Sequence, residues 1–257
     1  MNDKLTSAFS AINEFSETSA PIDFMLILRH WDVFLQGLAN SFTLVSLSFV
    51  IAAMFALPMA VLKWRKVPIA KDLVSVYVYI FRGTPLLVQA YLIYYGLAQF
   101  QSIKESFFWT LLVDPWWCVL IALTINSTAY QIDIYRGGLD AVPYGEVEAA
   151  KAIGLSRFAA LRHIVIPSAL RRCFPMTGNE MIFLLHGSAI ASTLTITDIL
   201  GAGRQLNSEF YLAYEGFLAA TLIYMTVIIS LTRFLNIIEK RIMGHVQLTS
   251  PTPSALP

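Results

Sequence analysis

Charged residues are scarce in this sequence. Asp, Glu, Lys and Arg account for 14% of its 257 residues, whereas soluble domains carry about 25%. Apolar residues account for 56%, and the mean hydropathy is +0.62. This balance excludes an ordinary soluble domain and directs attention to the long apolar runs that produce it.

Cysteine and catalytic motifs are scarce as well. The two cysteines, Cys118 and Cys173, fall in or near different apolar runs, which is typical of free, buried thiols and not of a disulfide or a metal site. The histidines are scattered, and the sequence contains no nucleotide-binding G-x-x-x-x-G-K-S/T motif, no H-E-x-x-H and no C-x-x-C. We therefore expect no metal, no bound cofactor and no hydrolytic or redox chemistry in this chain, which argues against a membrane enzyme.

The two ends of the chain are polar. Residues 1–23 lack the basic-then-apolar order of a signal peptide, and we expect residues 1–34 to form a polar periplasmic extension. Residues 246–257 are rich in Pro and Ser and are expected to form a disordered cytoplasmic tail. Residues 35–245 are left as the membrane domain.

Five apolar runs are each long enough to cross a membrane as a helix. A hydrocarbon core of ~30 Å requires roughly 20 apolar residues in helical conformation. The runs are continuous rather than alternating, so helices are favoured over the strands of a β-barrel. We predict an all-α integral membrane protein with five transmembrane helices, near residues 38–62, 75–99, 116–136, 175–197 and 214–238.

The basic residues predict the orientation of these helices. Most of the 18 Lys and Arg residues lie in the 62–74 and 136–174 segments, at the start of the second run or near the end of the last run. The exceptions are Lys4, Arg29, Lys104 and Arg204. Because cytoplasmic loops carry the excess of basic residues, we expect the N-terminus outside and the C-terminus inside. Gly83 and Pro85 leave open a broken or re-entrant second span.

The cytoplasmic 136–174 segment is longer than a connection between the third and fourth spans requires. Pro143 suits a first helical position, Glu146 complements the dipole of a first turn, and Gly154 suits the left-handed position that ends a helix. A short helix is therefore expected between Pro143 and Gly154. Its apolar stripe could lie in a groove of a partner or at the lipid headgroups, and it consists of Val147, Ala150 and Ile153.

A second short helix is expected to follow the glycine. Ser156 can cap this helix, since its hydroxyl can accept a hydrogen bond from a free backbone N–H of the first turn. Pro167 is expected to interrupt it, and Pro175 is expected to mark the entry into the fourth span. The segment would then present two short helices, joined by a glycine turn, on the inner face of the membrane.

This loop resembles the signature loop of the membrane subunits of ABC importers. The family pattern is E-A-A-x3-G-x9-I-x-L-P, and the matching residues here are Glu148-Ala149-Ala150, Gly154 and Ile164-Val165-Ile166-Pro167. Only Ile166 departs from the pattern, since the family usually has Leu there. Other stretches are similar to permeases for polar amino acids, namely R-G-T-P-L-L-V-Q at 82–89, N-S-T-A-Y at 126–130 and N-E-M-I-F-L-L-H at 179–186.

Together these stretches look like the M-type membrane subunit of the histidine/lysine/arginine/ornithine importers and of the octopine and nopaline importers. The resemblance covers roughly residues 35–245 and implies a type-1 ABC-transporter transmembrane domain in a bacterial inner membrane. It implies that this domain forms half of a translocation pathway for polar, in particular basic, amino acids.

The resemblance also implies partners. These are a second, Q-type permease subunit, two ATP-binding subunits that hold ATP and Mg²⁺, and a periplasmic substrate-binding protein. No nucleic-acid partner is expected. In this family the helix of the E-A-A loop docks into a cleft of an ATPase subunit, so the implied coupling residues are Glu148, Ala149, Ala150 and Gly154.

Polar residues inside the predicted spans are candidates for the substrate pathway, because they are costly in lipid and seldom face it. Glu180 is the candidate acceptor for a cationic substrate, although it could instead hydrogen-bond to neighbours near the inner surface. Gln89, Asn126 and Tyr130 could line the same pathway or could hold helices together by hydrogen bonds.

Gly83 and Pro85 are expected to break the regular helix near the inner leaflet, and Arg82 can extend its charged end to the inner interface there. Such a break could act as a gate or could be a structural kink. Farther along the chain, Asp198, Arg204 and Glu209 are expected on the outer face, either as solvated loop charges or as contacts for the binding protein.

The composition leaves one other class of transporter open, a self-sufficient secondary transporter. Such a protein would require an inverted repeat and carboxylates near the middle of the membrane that bind coupling ions. Five spans, no visible repeat and a single candidate carboxylate fit that class poorly.

Overall fold

The computed structural model describes residues 24–211 and 214–243, and this part of the chain consists of helices and turns without strands. The first helices are α1 (Phe24–Arg29), α2 (Trp31–Trp64), α3 (Ala70–Gly83), α4 (Leu86–Tyr91), α5 (Gln101–Lys104) and α6 (Trp109–Leu112). The later ones are α7 (Pro115–Asp140), α8 (Tyr144–Ala152), α9 (Arg157–Ala160), α10 (Ile166–Gly187), α11 (Ile199–Glu209) and α12 (Glu215–Met243). Most of the predicted extension 1–34 and the whole predicted tail 246–257 lie outside the described residues.

Three helical segments in the described part are long and apolar enough to cross a membrane: α2, the run Arg157–Glu209 and the segment Glu215–Ile242 of α12. The bent pair Ala70–Gly83 and Leu86–Gly96 makes a fourth if its halves form one span. The prediction of an all-helical membrane protein is confirmed at this level. The predicted count of five spans and the predicted orientation stay predictions.

Helix α7 corresponds to the predicted third span and lies at the centre of the bundle. It contacts α2, α3, α4 and α10. Its buried face mixes apolar residues with polar ones, among them Ser127, Thr128 and Gln131. Because α7 is surrounded by other helices, its polar side chains find partners within the protein and it need not be as apolar as a lipid-facing span.

Helices α7 and α10 approach each other closely at Gly138. A β-carbon at this position would lie 2.7 Å from the carbonyl oxygen of Ala169 and 2.9 Å from Cβ of Cys173. Small residues allow such close packing between membrane helices. Cys173 and Cys118 are both free and buried, as predicted.

The second apolar run is broken between α3 and α4. The chain bends by 102° between Ala70–Gly83 and Leu86–Gly96. Thr84 has an extended backbone with φ −114° and ψ 143°, and Pro85 follows it as the N-cap of α4. A residue before proline avoids the helical region, so Pro85 enforces the break at Thr84. The broken form of the second span, left open by the sequence, is the one observed.

Two prolines of the fourth run behave differently from the prediction. Helical structure continues from Arg157 through Pro167, and Pro175 lies inside α10. A π turn at Leu161–Val165 immediately precedes Pro167 and widens the helix there. Such a turn accommodates the missing N–H and the bulk of the ring, so the expected interruption at Pro167 was wrong, whereas entry into the membrane at Pro175 stays a prediction.

Asp198 is fully buried at the N-terminus of α11. Its Oδ1 accepts a hydrogen bond from the Gly201 N–H at 2.7 Å, and its Oδ2 accepts one from the Tyr224 hydroxyl at 3.2 Å. Asp198 therefore fastens α11 to α12, and its interpretation as a solvated loop charge was wrong. The backbone N–H of the helix end and the Tyr224 hydroxyl donate the hydrogen bonds that water would otherwise give to the carboxylate.

Candidate functional site

Helices α8 and α9 form the loop that carries the E-A-A sequence. Pro143 is the N-cap of α8, one position before the predicted one, and Gly154 has a φ of +78°. Ser156 Oγ accepts a hydrogen bond from the Ala159 N–H at 3.2 Å. The predicted helix, glycine turn and second helix are thus present, and the left-handed backbone at 154 is one that glycine adopts without strain.

The apolar stripe of α8 is divided between two environments. Val147 packs half-buried against a core cluster that includes Leu139 and Val165, and Ala150 is fully buried. Ile153, in contrast, is 74% exposed. The stripe is therefore not a single partner-facing surface, because two of its three residues pack on the bundle and the third lies in the turn.

The other face of α8 is exposed together with part of the turn and of α9. We call these residues the loop surface, and its members are Tyr144, Glu148, Ala149, Ile153, Gly154 and Phe158. Of the four predicted coupling residues, Glu148, Ala149 and Gly154 thus lie on the outside. Ala150 lies inside, where its small side chain lets α8 approach the bundle.

The corner between α3 and α4 is held by two amide side chains. Gln89 Nε2 donates to the Phe81 carbonyl oxygen at 2.9 Å and to Thr84 Oγ1 at 2.7 Å. Asn126 Nδ2, on α7, donates to the same Phe81 oxygen at 3.1 Å and to Gln89 Oε1 at 3.2 Å. The break leaves carbonyl groups of α3 without helical partners, and these amides supply the missing donors.

Asp133 on α7 joins three helices through its two carboxylate oxygens. Lys63 Nζ of α2 lies 2.9 Å from Oδ1, and Arg82 of α3 forms an ion pair with Oδ2. The Arg82 guanidinium also lies over the ring of Tyr130, 4.9 Å from its centroid. Arg82 is therefore fixed to α7 just before the corner at Gly83 and Pro85, and a gating role for these three residues stays a prediction.

Two neighbouring cavities open between these helices. The larger, of about 500 Å³, is lined by residues that include Arg82, Asp133 and Arg172. The smaller, of about 360 Å³, is lined by Leu86, Asn126 and Leu184. Both share three lining residues, which are Tyr130, Glu180 and Phe183.

The structure thus brings the predicted pathway residues together. Asn126, Tyr130 and Glu180 line the smaller cavity, and Gln89 lies directly behind Asn126 through their hydrogen bond. Gln89 and Asn126 also hold the corner, so the hydrogen-bonding role considered from the sequence is observed for both, and a role of Asn126 in the substrate pathway stays a prediction.

Glu180 is the buried carboxylate of this site. It is 6% exposed, and its Oε1 accepts a hydrogen bond from Ser127 Oγ at 2.8 Å. No ion pair of the described residues includes Glu180. A carboxylate taken out of water without an ion pair is costly, so this position favours a positively charged visitor to the cavity.

Sequence reasoning does not single out Asp133, although a signal is present. A carboxylate inside the apolar 116–136 run has to find a cationic or hydrogen-bonding partner. Asp133 also follows Asn126 by seven residues, which places both on one face of a helix. The partner on α2, Lys63, could not be found in this way, since it belongs to a predicted loop.

Comparison with known proteins agrees with this geometry. The family model of the binding-protein-dependent transport system inner membrane component matches residues 50–244. The nopaline transport system permease protein NocM of Agrobacterium fabrum is 36% identical over 227 residues, which are 88% of this chain and 94% of NocM. The histidine/lysine/arginine/ornithine transport system permease protein HisM of Escherichia coli is 35% identical over 215 residues, covering 83% and 90%.

A solved structure gives the same result for the fold. A chain of an amino acid ABC transporter, crystallised with histidines, aligns with a TM-score of 0.76 and 31% identity, covering 86% of this chain and 100% of that one. Taken together with the family match over residues 50–244, this shows that the chain belongs to the family of inner-membrane components of binding-protein-dependent transport systems.

Proposed function

We propose that the chain is a permease subunit of an importer for basic amino acids, and that it forms half of the translocation pathway. The observation that carries the substrate class is Glu180, a buried carboxylate on the wall of both cavities and outside every described ion pair. The cationic side chain of a passing amino acid would supply the missing positive charge. The substrates named for the relatives NocM and HisM support the same class.

We propose that the working complex contains a second, Q-type permease subunit, two ATPase subunits and a periplasmic binding protein. ATP and Mg²⁺ are then bound and used by the ATPase subunits, and not by this chain. The loop surface supports the ATPase contact. Its apolar members Tyr144, Ile153 and Phe158 are exposed beside charged residues, which is typical of a surface that a partner covers.

Reversing the charge of Glu148 tests the ATPase contact. We propose that Glu148 faces a basic group of the ATPase subunit, so Glu148→Arg would place like charges together at a cost of several kcal/mol. We expect it to reduce both the recovery of ATPase subunits with the purified chain and the uptake of labelled arginine by about tenfold or more. Glu105→Arg is the matched control, because Glu105 is an exposed glutamate directly after α5 and not on the loop surface. Equal recovery and uptake for wild type and Glu148→Arg would contradict the proposed contact.

We also propose five spans, with α3–α4 as the broken second and α7 as the third, in a bacterial inner membrane with the N-terminus outside. The distribution of basic residues and the central position of α7 support this arrangement. Lys104 then lies on the periplasmic side. A cysteine that replaces Lys104 should react with a membrane-impermeant maleimide in whole cells, and labelling only after the cells are broken would reverse the orientation.

A further inference from the structure

An ion pair joins α8 to the longest helical run of the bundle. Glu146 Oε1 lies 3.1 Å from Arg172 Nη2 of α10, and the two side chains are 35% and 21% exposed. Both groups are charged, so the hydrogen bond between them is stronger than a neutral one. Among the ion pairs of the described residues, this is the one that links the E-A-A loop to a spanning helix.

A second contact of α8 with the bundle is apolar. Val147 packs, without a directional bond, against the core cluster that includes Leu139 and Val165. Apolar contacts are non-directional, so they resist separation of two surfaces more than they resist sliding. The Glu146–Arg172 pair, in contrast, fixes one point of α8 to one point of α10.

Arg172 leads from this contact to the candidate pathway. Its side chain lines the larger cavity, together with Glu180 eight residues later on the same helix. Eight residues of α-helix span ~12 Å. The tight approach of Ala169 to Gly138 holds α10 against α7 beside Arg172, so a displacement of α10 at this level moves α7 as well.

We propose that the Glu146–Arg172 pair transmits the displacement of a docked α8 to α10, and thereby to the cavity wall that carries Glu180. The two residues are positioning residues and are not assigned contact with the substrate. The proposal rests on the proposed function, because it requires an ATPase subunit that moves α8. An ATPase can shift the bundle only through contacts that differ between the states of the ATPase. The ion pair would transmit the effect of such contacts from α8 to one position on α10.

The test uses the complete transporter in proteoliposomes, with the ratio of arginine taken up to ATP hydrolysed as its readout. We expect Glu146→Gln and Arg172→Gln each to lower this ratio by about threefold to fivefold, which is the worth of a partly exposed ion pair. The double variant Glu146→Arg with Arg172→Glu should restore at least half of the ratio, because the pair is remade with its charges exchanged. Arg171→Gln is the matched control, as Arg171 is an exposed neighbour outside the described ion pairs.

Each outcome has one meaning. A ratio for Glu146→Gln equal to that of wild type, with ATPase subunits bound, overturns the proposal and leaves the proposed function intact. The same holds if the single variants lower the ratio and the exchanged pair fails to restore it. A wild-type chain that assembles with no ATPase subunit overturns the proposed function, and the proposal with it.

Discussion

Adding one methyl group at position 138 is expected to separate α7 from α10, whereas the same methyl group at position 137 is expected to stabilise the protein. In Gly138→Ala the new Cβ would lie 2.7 Å from a backbone oxygen of α10 and 3.1 Å from Cys173 Sγ. The new Cβ would also lie 2.9 Å from Cys173 Cβ, and neither this atom nor the backbone oxygen can move without its helix, so the helices themselves must shift. Overpacking of this kind costs about 1–3 kcal/mol.

Gly137 provides the control within the same turn of the same helix. A Cβ at 137 meets no atom within 4 Å. Gly137→Ala should therefore gain up to about 1 kcal/mol from the better helix propensity of alanine. Tryptophan fluorescence during heating of the purified protein measures both variants, and we expect apparent melting temperatures on opposite sides of the wild-type value. Equal shifts for the two variants would show that α7 and α10 are not closely packed at Gly138.

Glu180→Gln is expected to have opposite effects on stability and on transport. Glutamine keeps the shape of the side chain and an oxygen that can accept the hydrogen bond from the Ser127 hydroxyl, but it removes a buried charge. We expect the empty protein to melt on the order of 2–4 °C higher, since a carboxylate outside any ion pair costs free energy when buried. Uptake of arginine or lysine should fall by at least about tenfold, because a substrate cation loses its counter-charge.

Two measurements separate this role from a structural one. If Glu180 served helix packing alone, Glu180→Gln would leave uptake close to wild type, and that outcome would remove Glu180 from the pathway. Glu105→Gln makes the same chemical change at an exposed position and should alter neither the melting temperature nor uptake. Uptake of a neutral amino acid by Glu180→Gln would further show that the charge, and not the fold, had been changed.

Local rules predicted the E-A-A loop well. Gly154 and Ser156 fixed the turn and the second cap, because a left-handed backbone and an N-cap each require particular residue types. The face of α8 that meets the bundle could not be predicted in this way. The spacing of the apolar stripe is the same whether a partner or the protein itself covers it, so spacing could not tell which surface covers Val147, Ala150 and Ile153.

The buried charges show which contacts could not be predicted from the sequence. Glu180 could be named as a pathway candidate because a carboxylate in an apolar run has few explanations, and its role in the pathway stays a prediction. Asp198 was misjudged because its neighbours in sequence resemble a loop, whereas its partner Tyr224 comes from a helix 26 residues later. Contacts between distant helices depend on how the helices are arranged in space. The periodicity of residues along one segment gives no information about that arrangement.

The hydrogen bonds of Gln89 and Asn126 at the α3–α4 corner also affect how a solute would be selected. The Phe81 carbonyl, freed by the break, is already bound by Gln89 and Asn126. In ion channels, by contrast, unbound main-chain oxygens replace the water shell of the permeating ion. Side chains that line the cavity, such as Tyr130 and Glu180, would then determine which solutes are selected. Single substitutions of such side chains could change this selection without altering the main chain.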